Sequence, residues 1–281
     1  MFSFVIPCHN NIELLKKTLA GLSMNTGVVP FEVILVDNNS FDEDIDKAYT
    51  KYIDFLDLYL LRQPKLPHPM AVSRARNLGL RLSRYDWIVN LDSDCVITPS
   101  YLKRLTEWVQ NSHHENPIIV GLRRFVDMNN ITDNDILADK VSYDALPLVA
   151  SEANYSQIVD RRVPYLDKLQ DLEHPWAYFH SCNLIYRKDS ANAVGGFDEI
   201  FDGCWGYEDI DFAHRMITQT NALPCYLPGI ECLHQDSESS STQNRFDKNS
   251  NPNWQLIAER IPGYLDYKSK EYLNLNSKIQ L

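Results

Sequence analysis

Long hydrophobic runs, closely spaced cysteines and basic residues are scarce in this sequence, and each shortage argues against one class of protein. No stretch approaches the ~18 apolar residues of a membrane span, so we expect no transmembrane segment, although peripheral membrane contact stays open. The 27 Lys and Arg against 38 Asp and Glu give a net charge of −11, which argues against nucleic acid as a partner.

The six cysteines are scattered and form no CxxC motif, which favours reduced thiols over a disulfide framework. The chain starts directly with the apolar segment FSFVIP and shows no basic leader. Together these features predict a cytoplasmic protein. Cys225, Cys232 and His234 could form half of a zinc site, but a second ligand pair is missing.

Short apolar strands alternate with amphipathic helices through the first hundred residues. FSFVIPC, FEVILVD and DWIVNLD are strand-like, and a helical pattern runs from about Met70 to Leu82. This alternation predicts an α/β fold with a mostly parallel central sheet flanked by helices, whose ligands bind at the carboxyl ends of strands. The polar segment 127–173 predicts loops and short helices in a smaller acceptor-side region, and the polar segment 237–253 precedes a final helical pattern.

Two aspartates stand at the end of a predicted strand in the segment NLDSDCVITP. We expect the side chains of Asp92 and Asp94 to point the same way, because side chains of a strand alternate between faces. Carboxylates that leave coordination positions open suit Mg²⁺ or Mn²⁺ shared with substrate phosphates. An ordinary Asp-Ser-Asp turn is the alternative.

A second acidic cluster lies in WGYEDIDFAHR, where Glu208 and Asp209 open a predicted helix. The positive end of the helix dipole predicts that Asp209 is ionised near neutrality, so that it can accept a proton from a sugar hydroxyl. Acidic residues also decorate helix starts without any function. His234, in ECLHQD, suits Mn²⁺, although a lone histidine is more often structural.

In order and spacing, these segments resemble the family 2 inverting glycosyltransferases of the GT-A fold, with a galactosyltransferase-like second half. The matching segments are FVIPCHN, ILVDNNS, SRARNLGL, LDSD, GGFDEIF, WGYEDIDFAHR and the late His234. The resemblance implies a GT-A domain at 1–236, divided into a nucleotide-binding half (1–100) and an acceptor and catalytic half (101–236). The segment 237–281 is then a polar stretch with a helical tail.

The resemblance also assigns roles to individual residues of this sequence. It implies nucleotide contacts at Pro7, Asn10, Asp37, Arg76 and Asp92. It implies metal ligands at Asp94 and His234, the catalytic base at Asp209, and sugar contacts at Trp205, Glu208 and Asp211. The sequence departs from the pattern at His9, where an aromatic residue is commoner, and at Asn38, where many relatives have a second acidic residue.

The implied reaction moves a sugar from a nucleotide diphosphate, with UDP favoured, to a hydroxyl of a saccharide or glycoconjugate, with inversion and with Mn²⁺ or Mg²⁺. A sugar-nucleotide nucleotidyltransferase is one alternative, but it needs a glycine-rich basic loop, and HNNIELLKKT contains no glycine. A non-catalytic sugar- or nucleotide-binding module is another. The presence of Asp94, Asp209 and His234 argues against it.

Overall fold

The first two strands are buried along their whole length, because FSFVIPC and FEVILVD are apolar enough to be covered on both faces. In the computed structural model of the 281-residue chain, the described residues are 1–40, 44–64, 71–151, 157–235, 251–268 and 270. The strands are β1 (Phe2–Cys8), β2 (Phe31–Asp37), β3 (Leu58–Arg62), β4 (Trp87–Leu91), β5 (Cys95–Ile97), β6 (Pro117–Val120), β7 (Arg123–Val126), β8 (Asn183–Arg187), β9 (Leu223–Tyr226) and β10 (Cys232–Gln235).

Seven of these strands form the central sheet in the order β3-β2-β1-β4-β8-β6-β9. All neighbouring pairs are parallel except the two that involve β8, which runs antiparallel to both β4 and β6. Because of this reversal, Asn183 at the start of β8 pairs with Leu91 at the end of β4. The residues just before β8 therefore lie at the edge where the parallel strands end.

A small second sheet, in the order β5-β10-β7, lies beyond that edge. The helices are α1 (Ile12–Ser23), α2 (Asp44–Tyr52), α3 (Val72–Leu82), α4 (Tyr101–Asn111), α5 (Asp133–Leu137), α6 (Val163–Leu166), α7 (Lys188–Ala193), α8 (Glu208–Thr220) and α9 (Pro252–Arg260). The predicted α/β class with a mostly parallel sheet flanked by helices is confirmed. The described residues of the segment 127–173 contain short helices, as its weak periodicity predicts.

Several sequence-based boundaries can be compared with these elements. The helix predicted from about Met70 begins at Val72, and Met70 lies outside the described residues. Most of the polar segment predicted at 237–253 also lies outside them, whereas the final helical pattern is α9. The domain divisions at residues 100 and 236 stay predictions.

The described residues contain no helix that is both long enough and apolar enough to span a membrane. All six cysteines are free thiols, five of them buried and Cys204 partly exposed. The reduced state of these cysteines stays a prediction.

Candidate active site

A cavity of about 380 Å³ opens at the carboxyl ends of β1 and β4. Its acidic side is formed by Asp92 and Asp94 after β4 and by Glu208 and Asp209 at the start of α8. Pro7, Arg76 and Trp205 also line it. The cavity therefore brings together residues that are far apart in sequence and that the pattern of motifs assigns to one site.

The two aspartates after β4 do not share a strand face, so the prediction from strand alternation was wrong. β4 ends at Leu91, and the Cys95 N–H donates to the Asp92 carbonyl at 3.1 Å, which makes residues 92–95 a turn. This turn sends the two carboxylates to different partners. Asp92 Oδ1 accepts from Arg76 Nη2 at 3.2 Å, whereas Asp94 Oδ2 lies 3.6 Å from His234 Nε2.

The Asp94–His234 pair is created by strand pairing, because β10 runs antiparallel to β5 and places His234 opposite Cys95. His234 Nδ1 lies 3.2 Å from the Gln235 carbonyl oxygen, so a proton on Nδ1 is donated there and Nε2 is left to face Asp94. Cys95 Sγ lies within 4.8 Å of both ligand atoms, but burial raises the pKa of this thiol well above its usual value.

The Asp94 carboxylate lines the cavity and the His234 imidazole lies beside it, and this pair fits a hard or borderline divalent cation such as Mn²⁺ or Mg²⁺. The zinc half-site considered from Cys225 and Cys232 is not assembled. Among the described residues, the one cluster of three or more His, Cys, Asp or Glu side chains that could hold a metal ion is Asp94, Cys95 and His234.

The start of α8 is shaped by two consecutive residues with positive φ, Gly206 at 83° and Tyr207 at 77°. This left-handed turn presents Glu208 and Asp209 to the cavity in the first turn of the helix. Asp209 Oδ1 accepts the Ile210 N–H at 2.9 Å. Burial, aided by the charge of Glu208, nevertheless raises the pKa of Asp209 to about 7. Desolvation therefore outweighs the helix dipole, so that Asp209 is about half ionised at neutrality, less than the dipole alone predicts.

Arg76 links the two acidic segments of the cavity. Its Nη1 donates to Glu208 Oε1 at 2.8 Å, its Nη2 donates to Asp92, and the side chain is only 4% exposed. These carboxylates hold the pKa of Arg76 above its usual value despite the opposing effect of burial. Burial also raises the pKa of Asp92, to about 6, with the Arg76 charge opposing it. Contact of Arg76 or Asp92 with a nucleotide stays a prediction.

Asp211 has a different place from the one expected of an acceptor-binding residue. Its carboxylate is 2% exposed, accepts from Arg215 Nε at 2.7 Å and from Arg260 Nε at 2.9 Å, and is not part of the cavity wall. Asp211 faces α9, because the helical period turns it away from Asp209. Its contact with a sugar stays a prediction.

Asn10 and Asp37 lie beside the cavity rather than on its wall. The Ser40 N–H donates to Asp37 Oδ1 at 2.9 Å, and the Asn10 N–H donates to Ser40 Oγ at 2.9 Å. Both residues therefore shape the turns after β1 and β2, next to His9 and Asn38, which do line the cavity. Their nucleotide contacts stay predictions.

The loop before α8 is held from outside by α9. Asn251 Nδ2 donates to the Trp205 carbonyl at 2.9 Å. The buried amide of Asn253 donates to three more carbonyls of the loop, those of Phe201, Cys204 and Gly206. Sequence reasoning missed these asparagines, because no local pattern indicates that an asparagine side chain donates to the carbonyls of a distant loop.

Sequence reasoning also missed a basic side of the cavity. It is lined by Arg123 at the start of β7, His180 and Ser181 just before β8, and Arg161 and Lys268. One signal was available in GLRRFV, where an arginine occurs in a strand-like segment whose neighbours are apolar. A charged residue that is buried in a strand indicates a binding or catalytic site, because charged side chains are rarely buried without a partner.

Comparison with known proteins identifies the family. Residues 3–195 match the family described as "Glycosyl transferase family 2". The chain belongs to this family of glycosyltransferase enzymes. Residues 167–228 also match the "N-terminal domain of galactosyltransferase", in agreement with the resemblance of the second half.

Individual relatives include a chondroitin synthase of Pasteurella multocida, which is 30% identical over 92% of this chain and 27% of its own length. A validoxylamine A glucosyltransferase of Streptomyces hygroscopicus subsp. jinggangensis is 27% identical over 87% of the chain and 58% of its own length. The chain therefore spans about a quarter to three fifths of these two relatives.

Solved structures share the fold at low sequence identity. S. aureus TarS in complex with UDP-GlcNAc aligns over 84% of this chain and 59% of its own, with a TM-score of 0.55 and 18% identity. A Pyrobaculum calidifontis mannosyltransferase in complex with GDP-Man and Mn²⁺ aligns over 83% and 56%, with a TM-score of 0.53 and 14% identity. These similarities confirm the GT-A-type fold.

Proposed function

We propose that this chain transfers a sugar from a nucleoside diphosphate donor, with UDP favoured, to a hydroxyl of a saccharide or glycoconjugate, with inversion at the anomeric carbon. The observation that carries the proposal is the meeting of Asp94, His234 and Asp209 at one cavity or its edge. A divalent cation held by Asp94 and His234 supplies positive charge that stabilises the departing diphosphate.

Asp209 acts as the general base in this proposal. As the acceptor oxygen bonds to the anomeric carbon, the bond from that carbon to the diphosphate breaks, and the hydroxyl proton passes to Asp209. A base is most efficient when its pKa lies near the working pH, and the pKa of Asp209, raised to about 7, meets that condition. The hydrogen bond between Arg76 and Glu208 holds the start of α8 in place beside Asp209. The ring of Trp205 lines the cavity and packs against the sugar.

The solved structures named above support the choice of donor and cation. One is a complex with UDP-GlcNAc and the other a complex with GDP-Man and Mn²⁺. Family membership argues against the nucleotidyltransferase alternative, and the assembled acidic cluster argues against a non-catalytic module. The cytoplasmic location and the lack of a nucleic acid partner stay predictions.

Calorimetry of UDP binding tests the proposal at its centre. We expect UDP to bind in Mn²⁺ and to lose most of its affinity in EDTA, and we expect Asp94→Asn to reproduce that loss in the presence of Mn²⁺. The matched control is Asp86→Asn, an exposed aspartate just before the opposite end of β4, which should bind as the wild type does. Equal UDP affinity in Mn²⁺ and EDTA would contradict the role of the cation.

The same protein should hydrolyse its donor slowly without an acceptor, since water can replace the acceptor hydroxyl. Assays of a panel of UDP- and GDP-sugars in Mn²⁺ identify the nucleobase and the sugar of the donor. Release of nucleoside diphosphate from none of them, by a protein that binds UDP, would favour the non-catalytic module.

A further inference from the structure

Arg123 differs from the other deeply buried arginines of the described residues in having no carboxylate partner. Arg76, Arg123 and Arg162 are 4%, 8% and 1% exposed. Arg76 pairs with Glu208 and Asp92, and Arg162 pairs with a buried aspartate at 2.8 Å. In the described part of the chain, Nε and Nη2 of Arg123 are both buried without any hydrogen-bond partner, whereas Arg76 lacks a partner only at Nε.

Two other polar groups beside Arg123 are also unsatisfied. Ser181 is 1% exposed and its Oγ has no partner in the described residues, and the same holds for Nδ1 of the neighbouring His180. All three side chains line the cavity. A buried charge or hydroxyl without a partner is costly, and native proteins leave few of them unless a ligand completes the set.

The surroundings of Arg123 are positively charged. The nearby carboxylate of Asp160 is engaged by Arg162, whose Nε and Nη2 both donate to it. Burial, together with the charges of Arg162 and Arg123, holds the pKa of His180 well below its usual value, so this ring stays neutral. In a chain with a net charge of −11, this side of the cavity is thus suited to an anion.

Arg123 and the candidate metal ligands pack against the same aromatic ring. The Arg123 guanidinium lies over the face of Phe125 at 4.6 Å from the ring centroid, and the Phe125 ring lies 4.8 Å from that of His234. In the proposed function the cation on Asp94 and His234 already meets the diphosphate, which leaves Arg123 for an anionic group elsewhere on the substrate.

We propose that Arg123, with Ser181 and His180, binds a carboxylate carried by a sugar of the substrate, so that the enzyme acts on a hexuronic-acid-containing saccharide. This inference rests on the proposed sugar transfer and specifies its substrate class. A planar carboxylate can accept two parallel hydrogen bonds from a guanidinium, and the serine hydroxyl supplies another donor. The carboxylate can belong to the donor sugar or to the acceptor.

Two pairs of probes distinguish these sources. The first pair is UDP-glucuronic acid and UDP-glucose, and the second is an oligosaccharide that ends in glucuronic acid and its carboxyl-reduced counterpart. Calorimetry in Mn²⁺, with and without UDP for the oligosaccharides, measures each affinity. We expect the carboxylate member of one pair to bind at least about tenfold more tightly, in line with a charged hydrogen bond.

Arg123→Gln should abolish that preference while leaving the affinity for UDP itself within about twofold, since UDP lacks the sugar. Ser181→Ala should reduce the preference in part and tests the same subsite should the arginine variant fold poorly. The matched control is Arg124→Gln, the next residue, whose guanidinium faces Asp144 at 3.9 Å and Glu231 at 3.6 Å. It should keep the wild-type preference.

Two results would overturn the inference: no carboxylate preference in either pair for the wild type, or an Arg123→Gln variant that loses affinity for UDP as much as for the anionic sugar. The second result would assign Arg123 to the diphosphate. A wild type that fails to bind UDP in Mn²⁺ contradicts the proposed function instead, and the oligosaccharide pair measured without UDP still tests the carboxylate subsite.

Discussion

The two acidic sides of the cavity are built by different means. The Asp92–Asp94 turn continues directly from β4, which is hydrogen bonded to β1 on one side and to β8 on the other. The loop that leads to Asp209 is held instead by side chains at the start of α9, which follow it by 46 to 52 residues. One side of the site is thus part of the sheet, and the other side is fastened to the protein by a separate helix.

Side-chain contacts at both ends of α9 hold this part of the protein. Its first turn holds the loop carbonyls through Asn251 and Asn253, and Arg260 in its last turn binds Asp211 at 2.9 Å and Asp198 at 2.8 Å. Side-chain contacts of this kind can be lost one at a time, whereas a central strand is lost only with the fold. The catalytic side should therefore be the more sensitive to point changes outside the cavity.

The largest effect is expected from Asp209→Asn. The amide keeps the shape of the side chain but cannot take the acceptor proton, so kcat should fall by ~10²-fold or more while donor affinity stays nearly unchanged. Steady-state transfer with calorimetry of the donor measures both. Asp189→Asn, the same change at an exposed site in the first turn of α7, is the control. Near-normal kcat in the Asp209 variant would move the base to another residue, such as Glu208.

A smaller effect is expected from Asn253→Ala, which removes the amide that donates to three loop carbonyls. The free energy of unfolding should fall by about 1–3 kcal/mol, and kcat should fall because the loop before Asp209 is loosened. Urea unfolding and transfer assays test this, with the exposed Gln255→Ala on the same helix as control. A loss of stability with unchanged kcat would mean that α9 supports the fold but not the geometry of the base.

The smallest effect concerns the pH dependence of stability in EDTA. The pKa of Asp209 is about 7 when folded and 3.8 as a free group, so the folded protein binds more protons between these values. Stability due to this group therefore declines as the pH rises from about 4 to about 7. Asp209→Asn removes that decline. Its Tm relative to the wild type should be higher at pH 8 than at pH 5, by a few degrees, whereas a constant difference would contradict the raised pKa.

The sequence predicted the parts of the site that depend on local pattern. The buried strand FEVILVD, the aspartates after β4 and the helix that starts at Glu208 all follow from hydrophobic period and strand ends. The partners of these residues could not be predicted in the same way. Asp211 pairs with Arg260, and Arg123 lines the cavity, only because distant segments meet in the fold.

The pKa of Asp209 shows the same limit in electrostatic terms. The start of α8 could be predicted from the sequence, and the helix dipole there favours an ionised Asp209. The burial of Asp209, however, depends on Glu208, Arg76 and the cavity around them. Desolvation is a property of the assembled site, so no window of sequence contains it.

Arg76 joins the two sides through one rigid group, since Asp92 and Glu208 bind different nitrogens of its guanidinium. This bridge couples the two sides thermodynamically. A change of charge beside Asp92 alters the free energy of protonation beside Glu208, and protonation beside Glu208 alters the free energy of that charge change by the same amount. In the proposed reaction, binding of the donor beside Asp92 and protonation beside Glu208 are then thermodynamically coupled.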